Sequence, residues 1–317
     1  MIKYLLILLF PFLTLGQSIV EEIEGLIKNK EYTKAERLLA IYNNTQPDGI
    51  RELEIIGDTY VQQKNWKDAV FVYAQLVKED AKNANYHYKY GQALGRYALS
   101  NNKLLALFTM NEVKEEFLLA AKLDATHIDS RWALVVFYTE LPVIIGGSIR
   151  KALAYAEELQ IISPVDGYLA KGYVYEYDEE VGLAEENYKK AIEVGGSLTC
   201  FNKLISFYKK NDEPKKAISI IEEAYEKLQL NTLNYQLGEV SAAFNLELEK
   251  GKKGLINYIE NFSSVDEYSI KWAYLRLSQI YKHKGDKVNA LIWIDKVLVL
   301  YSDFEPALKE KTLILNM

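Results

Sequence analysis

The stretch GDTYVQQKNWKDAVFVYAQLVKED, residues 57–80, contains the pattern that decides the fold. Gly57, Tyr60, Ala69 and Tyr73 follow one another at spacings of 3, 9 and 4 residues. Around them, apolar residues recur every three or four positions, which is the period of an amphipathic α-helix. Small residues at Gly57 and Ala69 would let two such helices approach closely. The stretch therefore predicts two helices that pack against each other through small and aromatic side chains.

The same spacing returns in four other segments, at residues 35–47, 172–193, 206–228 and 277–298. Such internal similarity indicates a repeat architecture, in which each unit is one supersecondary element that stacks on its neighbours. The prolines agree with this interpretation. Outside residues 1–16 none of them falls in the interior of a predicted helix, where proline would cost about 3 kcal/mol.

The pattern resembles the tetratricopeptide repeat (TPR), a helix-turn-helix unit of 34 residues. Eight units can be placed, starting near residues 16, 50, 84, 128, 165, 198, 231 and 271. Position 20 of the repeat then reads Ala35, Ala69, Val113, Ala152, Ala184, Ala217, Gly254 and Ala290. The resemblance implies an all-α fold, a right-handed helical solenoid over residues 17–304. Residues 305–317 would form a C-terminal capping helix over the apolar face of the last unit.

Three places depart from the repeat. Insertions lie near residues 96–110 and 139–147, and the seventh unit has 16 residues from Gly238 to Gly254 where the repeat has 12. The seventh unit is therefore either a true repeat or an irregular helical pair. The apolar segment 97–114 is either a lengthened helix packed on its own unit or an exposed ridge for a partner. In the second insertion, we expect Val143–Ile145 to be buried against the first insertion and Ser148 to cap the next helix.

The N-terminus has the pattern of a secretory signal peptide. Residues 1–16, MIKYLLILLFPFLTLG, combine a positive Lys3, an apolar run over residues 4–15 and a small Gly16 before Gln17. An uncleaved anchor is the alternative. No second apolar run approaches the ~18 residues that a transmembrane helix needs. We therefore expect an exported bacterial protein of the periplasm, with secretion or the cell surface as alternatives. We do not expect an integral membrane protein, and an envelope complex is a further expectation.

Composition and motifs argue against several functions. A net charge of −6 over 317 residues disfavours nucleic acid as a partner, because nucleic-acid binders concentrate basic charge. The single cysteine, Cys200, rules out an intrachain disulfide framework and is predicted to be buried and inert. The three histidines lie in separate units, and no nucleotide-binding, protease or esterase motif occurs. We expect no catalytic residue, metal or cofactor; the enzymatic alternative is a carboxylate pair hidden in the sequence.

The family resemblance also implies that the first helices of the repeats line a concave groove that binds a protein or an extended peptide. Reading the groove positions of the repeat onto this chain predicts the partner-binding residues Tyr88, Gln92, Arg96, Trp132, Tyr173, Glu176, Tyr177, Asn202, Lys209, Lys210 and Tyr235. Tyrosine and tryptophan give large, rigid contact areas with a polar tip. We expect a non-enzymatic scaffold or adaptor. The alternative from another class is capture of a glycan or other small ligand by this aromatic groove.

The tyrosines thus fall into two predicted groups. Those at positions 11 and 24 of the repeat should fill the interior between helices, namely Tyr60, Tyr73, Tyr138, Tyr175, Tyr188, Tyr208, Tyr258 and Tyr281. The second group faces the groove, although packing between units stays an alternative for each of its members.

Overall fold

The computed structural model describes residues 50–101, 103–264 and 266–317, together with Glu22, Leu26, Glu31, Lys34, Arg37 and Leu38. The predicted signal peptide, and most of the first predicted unit, lie outside the described residues. The described part of the chain is all-α, with fifteen α-helices, one short 3-10 helix and no β-strand. The chain divides into two compact units, an N-terminal unit over Met1–Ser163 and a C-terminal unit over Pro164–Met317.

Helices follow one another in pairs along both units. In the N-terminal unit the described helices are α1 (Ile50–Gln62), α2 (Trp66–Glu79), α3 (Ala84–Asn101), α4 (Lys103–Leu123), α5 (Ile128–Glu140) and α6 (Ile149–Ile162). In the C-terminal unit they are α7 (Pro164–Tyr177), α8 (Val181–Gly195), α9 (Leu198–Lys210), α10 (Pro214–Leu228), α11 (Asn231–Phe244), α12 (Leu248–Glu260), α13 (Ile270–His283), α14 (Lys287–Leu300) and α15 (Glu305–Leu315). Each helix packs on the next one in the chain within its unit, as in a stack of helical hairpins.

A small residue in the first helix of a pair faces a large side chain in the second. A Cβ atom added at Gly57 would lie 2.6 Å from the ring of Tyr73, and one at Gly172 would lie 2.6 Å from the ring of Tyr188. The interior prediction is confirmed for the five buried tyrosines, Tyr73, Tyr138, Tyr188, Tyr208 and Tyr258. Tyr60, Tyr175 and Tyr281 are half-buried.

The first insertion lengthens both helices of one pair. A Cβ atom at Gly91 would lie 2.9 Å from the ring of Phe117, so these residues make the same contact as Gly57 and Tyr73. They are 26 residues apart instead of 16, which places ten extra residues between the two contact points. Helix α3 has 18 residues and α4 has 21, whereas α1 has 13 and α2 has 14. Helix α3 is therefore longer than α1 by about 7.5 Å, and α4 is longer than α2 by about 10.5 Å.

Four of the pairs turn through the same three-residue connection. Its middle residue adopts the left-handed conformation, with φ of 58° at Lys64, 62° at Glu179, 56° at Asp212 and 73° at Gly285. A left-handed residue ends one helix and lets the chain reverse direction within a few residues. This recurrent turn brings the two helices of a pair side by side.

The turn after α5 differs from its prediction. Pro142 ends the helix, and Val143–Ile145 form a 3-10 helix with the side chains of Val143 and Ile144 exposed to 85% and 92%. The expected burial of these side chains is wrong, because the turn folds back on its own backbone and leaves them on the outside. The predicted cap is confirmed: the Ser148 hydroxyl accepts a hydrogen bond from the backbone N–H of Lys151.

The C-terminal unit ends with two modified elements. The seventh predicted unit is a helical pair, α11 and α12, in which a Cβ atom at Gly238 would lie 2.1 Å from Leu255. Loop residues 261–264 and 266–269 follow it. The last helix, α15, buries Ala307 and Ile314 in a cluster with residues of α13 and α14, and so covers the apolar side of the last pair.

Candidate functional site

A cavity of about 390 Å³ opens within the N-terminal unit between α3, α4 and α5. Four of the predicted partner-binding residues line it: Tyr88, Gln92, Arg96 and Trp132. The other lining residues are Gly91, Gly95, Leu99, Met110, Val113, Phe117, Asp129, Ala133, Val136, Phe137, Glu140 and Leu141. The cavity therefore combines apolar walls with a few polar groups, the usual composition of a binding pocket.

Two helical rows form the sides of this cavity. On α3, Tyr88, Gln92 and Arg96 lie at intervals of four residues and share one face of the helix. On α5, Trp132, Val136 and Glu140 do the same. Met110, Val113 and Phe117 of the lengthened helix α4 supply apolar surface between the two rows.

The polar groups of the cavity are unevenly partnered. The side-chain amide of Gln92 donates a hydrogen bond of 2.9 Å to the hydroxyl of Tyr88. Burial raises the pKa of Tyr88, and the nearby carboxylate of Asp129 raises it further, so this phenol stays neutral at physiological pH. Arg96 is exposed, and within the described part of the chain no hydrogen bond or ion pair engages its guanidinium group. The cavity thus presents one cationic group that is free to pair with an anion.

The two carboxylates of the cavity do not form a catalytic pair. Asp129 and Glu140 lie on the same helix, eleven residues apart, which separates their backbones by about 16 Å. The carboxylates of glycosidases are at most ~9.5 Å apart.

The histidines have structural partners. Both ring nitrogens of His87 are bonded, one to Glu116 at 2.6 Å and one to the carbonyl of Ala81 at 3.1 Å. The ring of His127 caps α5, and His283 contacts the carbonyl of Ala242. Among the described residues, no group of three His, Cys, Asp or Glu side chains is placed to hold a metal ion. Cys200 is fully buried, as predicted.

In the C-terminal unit, most of the predicted residues bind one another or adjacent helices. Lys210 pairs with Glu176 at 2.9 Å and so connects α9 to α7. Lys209 pairs with Glu239 of α11 at 2.7 Å. The side-chain carbonyl of Asn202 accepts a hydrogen bond of 2.9 Å from Gln236. These polar contacts link the first helices of successive pairs.

Tyr173 and Tyr177 lie on α7, half-buried and exposed respectively. The prediction that Tyr235 faces a partner needs correction, because its side chain is only 2% exposed and cannot offer its ring to a partner. The loop after α12 places Tyr268 on it, with the two rings stacked at a centroid distance of 4.1 Å. The loop insertion thus closes the predicted groove position at Tyr235.

A network of hydrogen bonds and ion pairs also joins α8 to α9 and α10. Glu185 of α8 accepts hydrogen bonds from Lys189, Lys216 and Tyr208. Burial on its own would raise the pKa of Glu185, but these three hydrogen bonds outweigh it and lower the pKa from 4.5 to about 2. The carboxylate therefore stays charged at neutral pH and links α8, α9 and α10.

Sequence reasoning missed several residues of the cavity. Val136 and Glu140 follow Trp132 at intervals of four residues, and this spacing alone would have indicated them. Leu99 and Met110 come from the inserted segment, where the repeat numbering no longer assigns positions.

A tetratricopeptide repeat protein from Parabacteroides merdae superposes on this structure with a TM-score of 0.50 and 10% sequence identity, over 95% of this chain and 98% of that one. The chain has the tetratricopeptide-repeat fold. At this identity the likeness shows the TPR fold and does not extend to a function. The predicted all-α TPR-type architecture is therefore confirmed.

Two further TPR proteins are similar at a lower level. YrrB, a TPR protein with an unusual peptide-binding site, has a TM-score of 0.43 and 20% identity, over 63% of this chain and 99% of its own. TTC0263 of Thermus thermophilus has a TM-score of 0.43 and 12% identity, over 71% and 98%. No protein-family model matches the sequence, and no curated protein matches it. No helix in the described ranges is long and apolar enough to span a membrane.

Proposed function

We propose that this protein is a non-enzymatic interaction scaffold whose N-terminal unit binds an extended peptide segment of a partner protein. The observation that carries the proposal is the cavity between α3, α4 and α5, with its apolar walls and with Arg96, which has no partner among the described residues. A volume of about 390 Å³ lies in the range of ligand pockets, ~300–1,000 Å³. It can take a large apolar or aromatic side chain of the partner.

The charge of Arg96 adds a second requirement to the ligand. A guanidinium group offers a planar set of donors that matches a carboxylate. We therefore propose that the bound segment carries an aspartate or glutamate next to its apolar anchor residue. Gln92, which is exposed on the same helical face, adds a polar contact at the rim of the cavity.

Selection from a random peptide library displayed on phage, with the purified full chain as the target, tests this proposal. We expect peptides in which an apolar or aromatic residue adjoins an acidic one. Their affinity should fall at least tenfold for Arg96→Gln, because a hydrogen bond to a charged group contributes about 1.5–3 kcal/mol. Trp132→Ala should weaken binding as well. Arg150→Gln, which changes an exposed arginine outside the cavity, is the matched control.

The proposal is wrong if the selected peptides bind Arg96→Gln and Trp132→Ala as tightly as the unchanged protein. If the protein selects no peptide but binds sugars on a glycan array, that result supports the alternative of glycan capture instead.

We also propose that the protein is exported, on the strength of the signal-like residues 1–16. Expression in a bacterial host, followed by fractionation and N-terminal sequencing, tests this. A periplasmic product that begins at Gln17 is expected. A cytoplasmic product that retains Met1 contradicts the proposal.

A further inference from the structure

The two ends of the cavity in the N-terminal unit carry opposite charges. Arg96 lies in the second half of α3, and among the described residues that line the cavity it alone is basic. Asp129 lies in the first turn of α5, where its exposed carboxylate has no hydrogen bond or ion pair within the described part of the chain. The cavity therefore offers a ligand an accessible anion as well as an accessible cation.

Asp129 lies at the Tyr88 end of the cavity. Its carboxylate raises the pKa of Tyr88, and the ring of His127, which caps the same end of α5, lies 5.6 Å from the Tyr88 ring between centroids. Tyr88 and Arg96 are eight residues apart on α3, which separates their backbones by about 12 Å. The two charges are therefore placed to bind different groups of one ligand.

Aromatic side chains border the anionic end. Trp132 follows Asp129 by three residues and so lies on the same face of α5. Tyr88 lies on the facing helix α3, and both rings line the cavity. A carboxylate beside aromatic rings suits an ammonium or guanidinium group, because the carboxylate supplies the opposite charge and the faces of the rings attract cations.

The cationic end has different neighbours. Leu99 of α3 and Leu141, which follows α5, add apolar surface there. Glu140 lines this end as well, but it already interacts with another residue of the chain. An acidic group of a ligand is attracted by Arg96 and repelled by Asp129. For a given ligand, the two charges thus determine which of its ends lies at Arg96.

We infer that the cavity binds a peptide segment with charges of both signs, in which a lysine or arginine contacts Asp129 while the acidic residue contacts Arg96. The inference rests on the function proposed above and adds a second charged residue to its ligand. An extended chain advances about 3.3 Å per residue, so a separation of about 12 Å corresponds to about four residues. The basic residue should therefore lie about four positions from the acidic one.

Exchange of charge between peptide and protein tests this inference on the full chain. The probe is the tightest-binding peptide from the phage selection, synthesised with both ends blocked so that only its side chains carry charge. Two further versions have glutamine or glutamate in place of its basic residue. The protein variants are Asp129→Asn and Asp129→Lys. Glu305→Gln is the matched control, because Glu305 is exposed in the first turn of α15 and lies outside the cavity.

We expect most selected peptides to contain a lysine or arginine about four positions from the acidic residue. Glutamine in its place should weaken binding to the unchanged protein about threefold to fivefold at low salt, which is the strength of a good exposed ion pair. The same replacement should leave binding to Asp129→Asn unchanged. Asp129→Lys should prefer the version with glutamate, and Glu305→Gln should behave like the unchanged protein.

The inference is overturned if the selected peptides depend on Arg96 but show no excess of basic residues. It is also overturned if glutamine costs the same affinity with Asp129→Asn as with the unchanged protein. The proposed peptide binding stands in both cases. An equal effect of Glu305→Gln overturns the inference too, because it would show a general effect of net charge. Selection of no peptide contradicts the proposed function and this inference together.

Discussion

Replacement of Gly172 by alanine tests the packing on which every helix pair depends. The new Cβ atom would lie 2.6 Å from two carbons of the Tyr188 ring. Carbon atoms in contact prefer about 3.5–4.0 Å, so the overlap is about 1 Å. The ring has little room to move away, because it is buried and its hydroxyl donates a hydrogen bond of 2.8 Å to Glu176. One of the two helices must therefore shift.

The magnitude follows from two opposing effects. Overpacking of a well-filled core costs about 1–3 kcal/mol. Alanine is a better helix former than glycine by ~1 kcal/mol, and Gly172 lies in the interior of α7. The net loss in the free energy of unfolding is therefore about 0–2 kcal/mol.

Gly182→Ala isolates the packing effect. Gly182 lies in the paired helix α8, and a Cβ atom there meets nothing within 4 Å. This variant should keep only the gain in helix propensity, up to ~1 kcal/mol. The two variants should therefore differ by about 1–3 kcal/mol in urea unfolding followed by far-UV circular dichroism. Equal stability of the two variants would refute the close approach of α7 and α8.

Three other changes test separate features. Ser148→Ala removes the cap of α6 and should lower the free energy of unfolding by about 0.5–2 kcal/mol in urea titrations; no loss would show that the cap contributes nothing. Glu185 is stabilising while its carboxylate is charged, because its folded pKa of about 2 lies below the ordinary 4.5. Its contribution should be complete above pH ~4.5 and disappear as the pH falls toward 2. Thermal midpoints of the unchanged protein and Glu185→Gln should thus converge in acid, and a constant difference would contradict this. Tyr268→Ala removes the ring that stacks on Tyr235 and should lower the free energy of unfolding, measured by urea titration, by about 0.5–1.5 kcal/mol or more. The double variant with Tyr235→Leu should lose less stability than the two single variants lose together.

The fold could be predicted from the sequence because its main contact repeats at a fixed spacing. Gly57 with Tyr73 and Gly172 with Tyr188 are both 16 residues apart, and each glycine leaves room for the paired ring. A spacing that recurs in several segments excludes most other folds, although each segment alone is ambiguous. The same contact between Gly91 and Phe117 survives an insertion of ten residues, because only the ends of the helices were extended.

The candidate site could be predicted only in part, for a physical reason. Repeat numbering indicates which face of the first helix in a pair a residue occupies. It therefore predicted that Tyr88, Gln92 and Arg96 share one face, and all three line the cavity. It cannot tell what an inserted loop will cover. Tyr235 shares the repeat position of Tyr88, yet Tyr268 lies on its ring. A burial of this kind depends on a loop of irregular length, for which the period carries no information.

The cavity assigned to binding arises where the period is broken. In a regular stack, each helix pair covers the apolar face of the pair before it, and little apolar surface remains open. Helices α3 and α4 are longer than the helices of a regular pair, so their ends extend past the neighbouring helices. The extension brings Leu99 and Met110 to the wall of the cavity. Shortening α3 and α4 together by the inserted ten residues would therefore open one wall of the cavity, while the contact between Gly91 and Phe117 would stay.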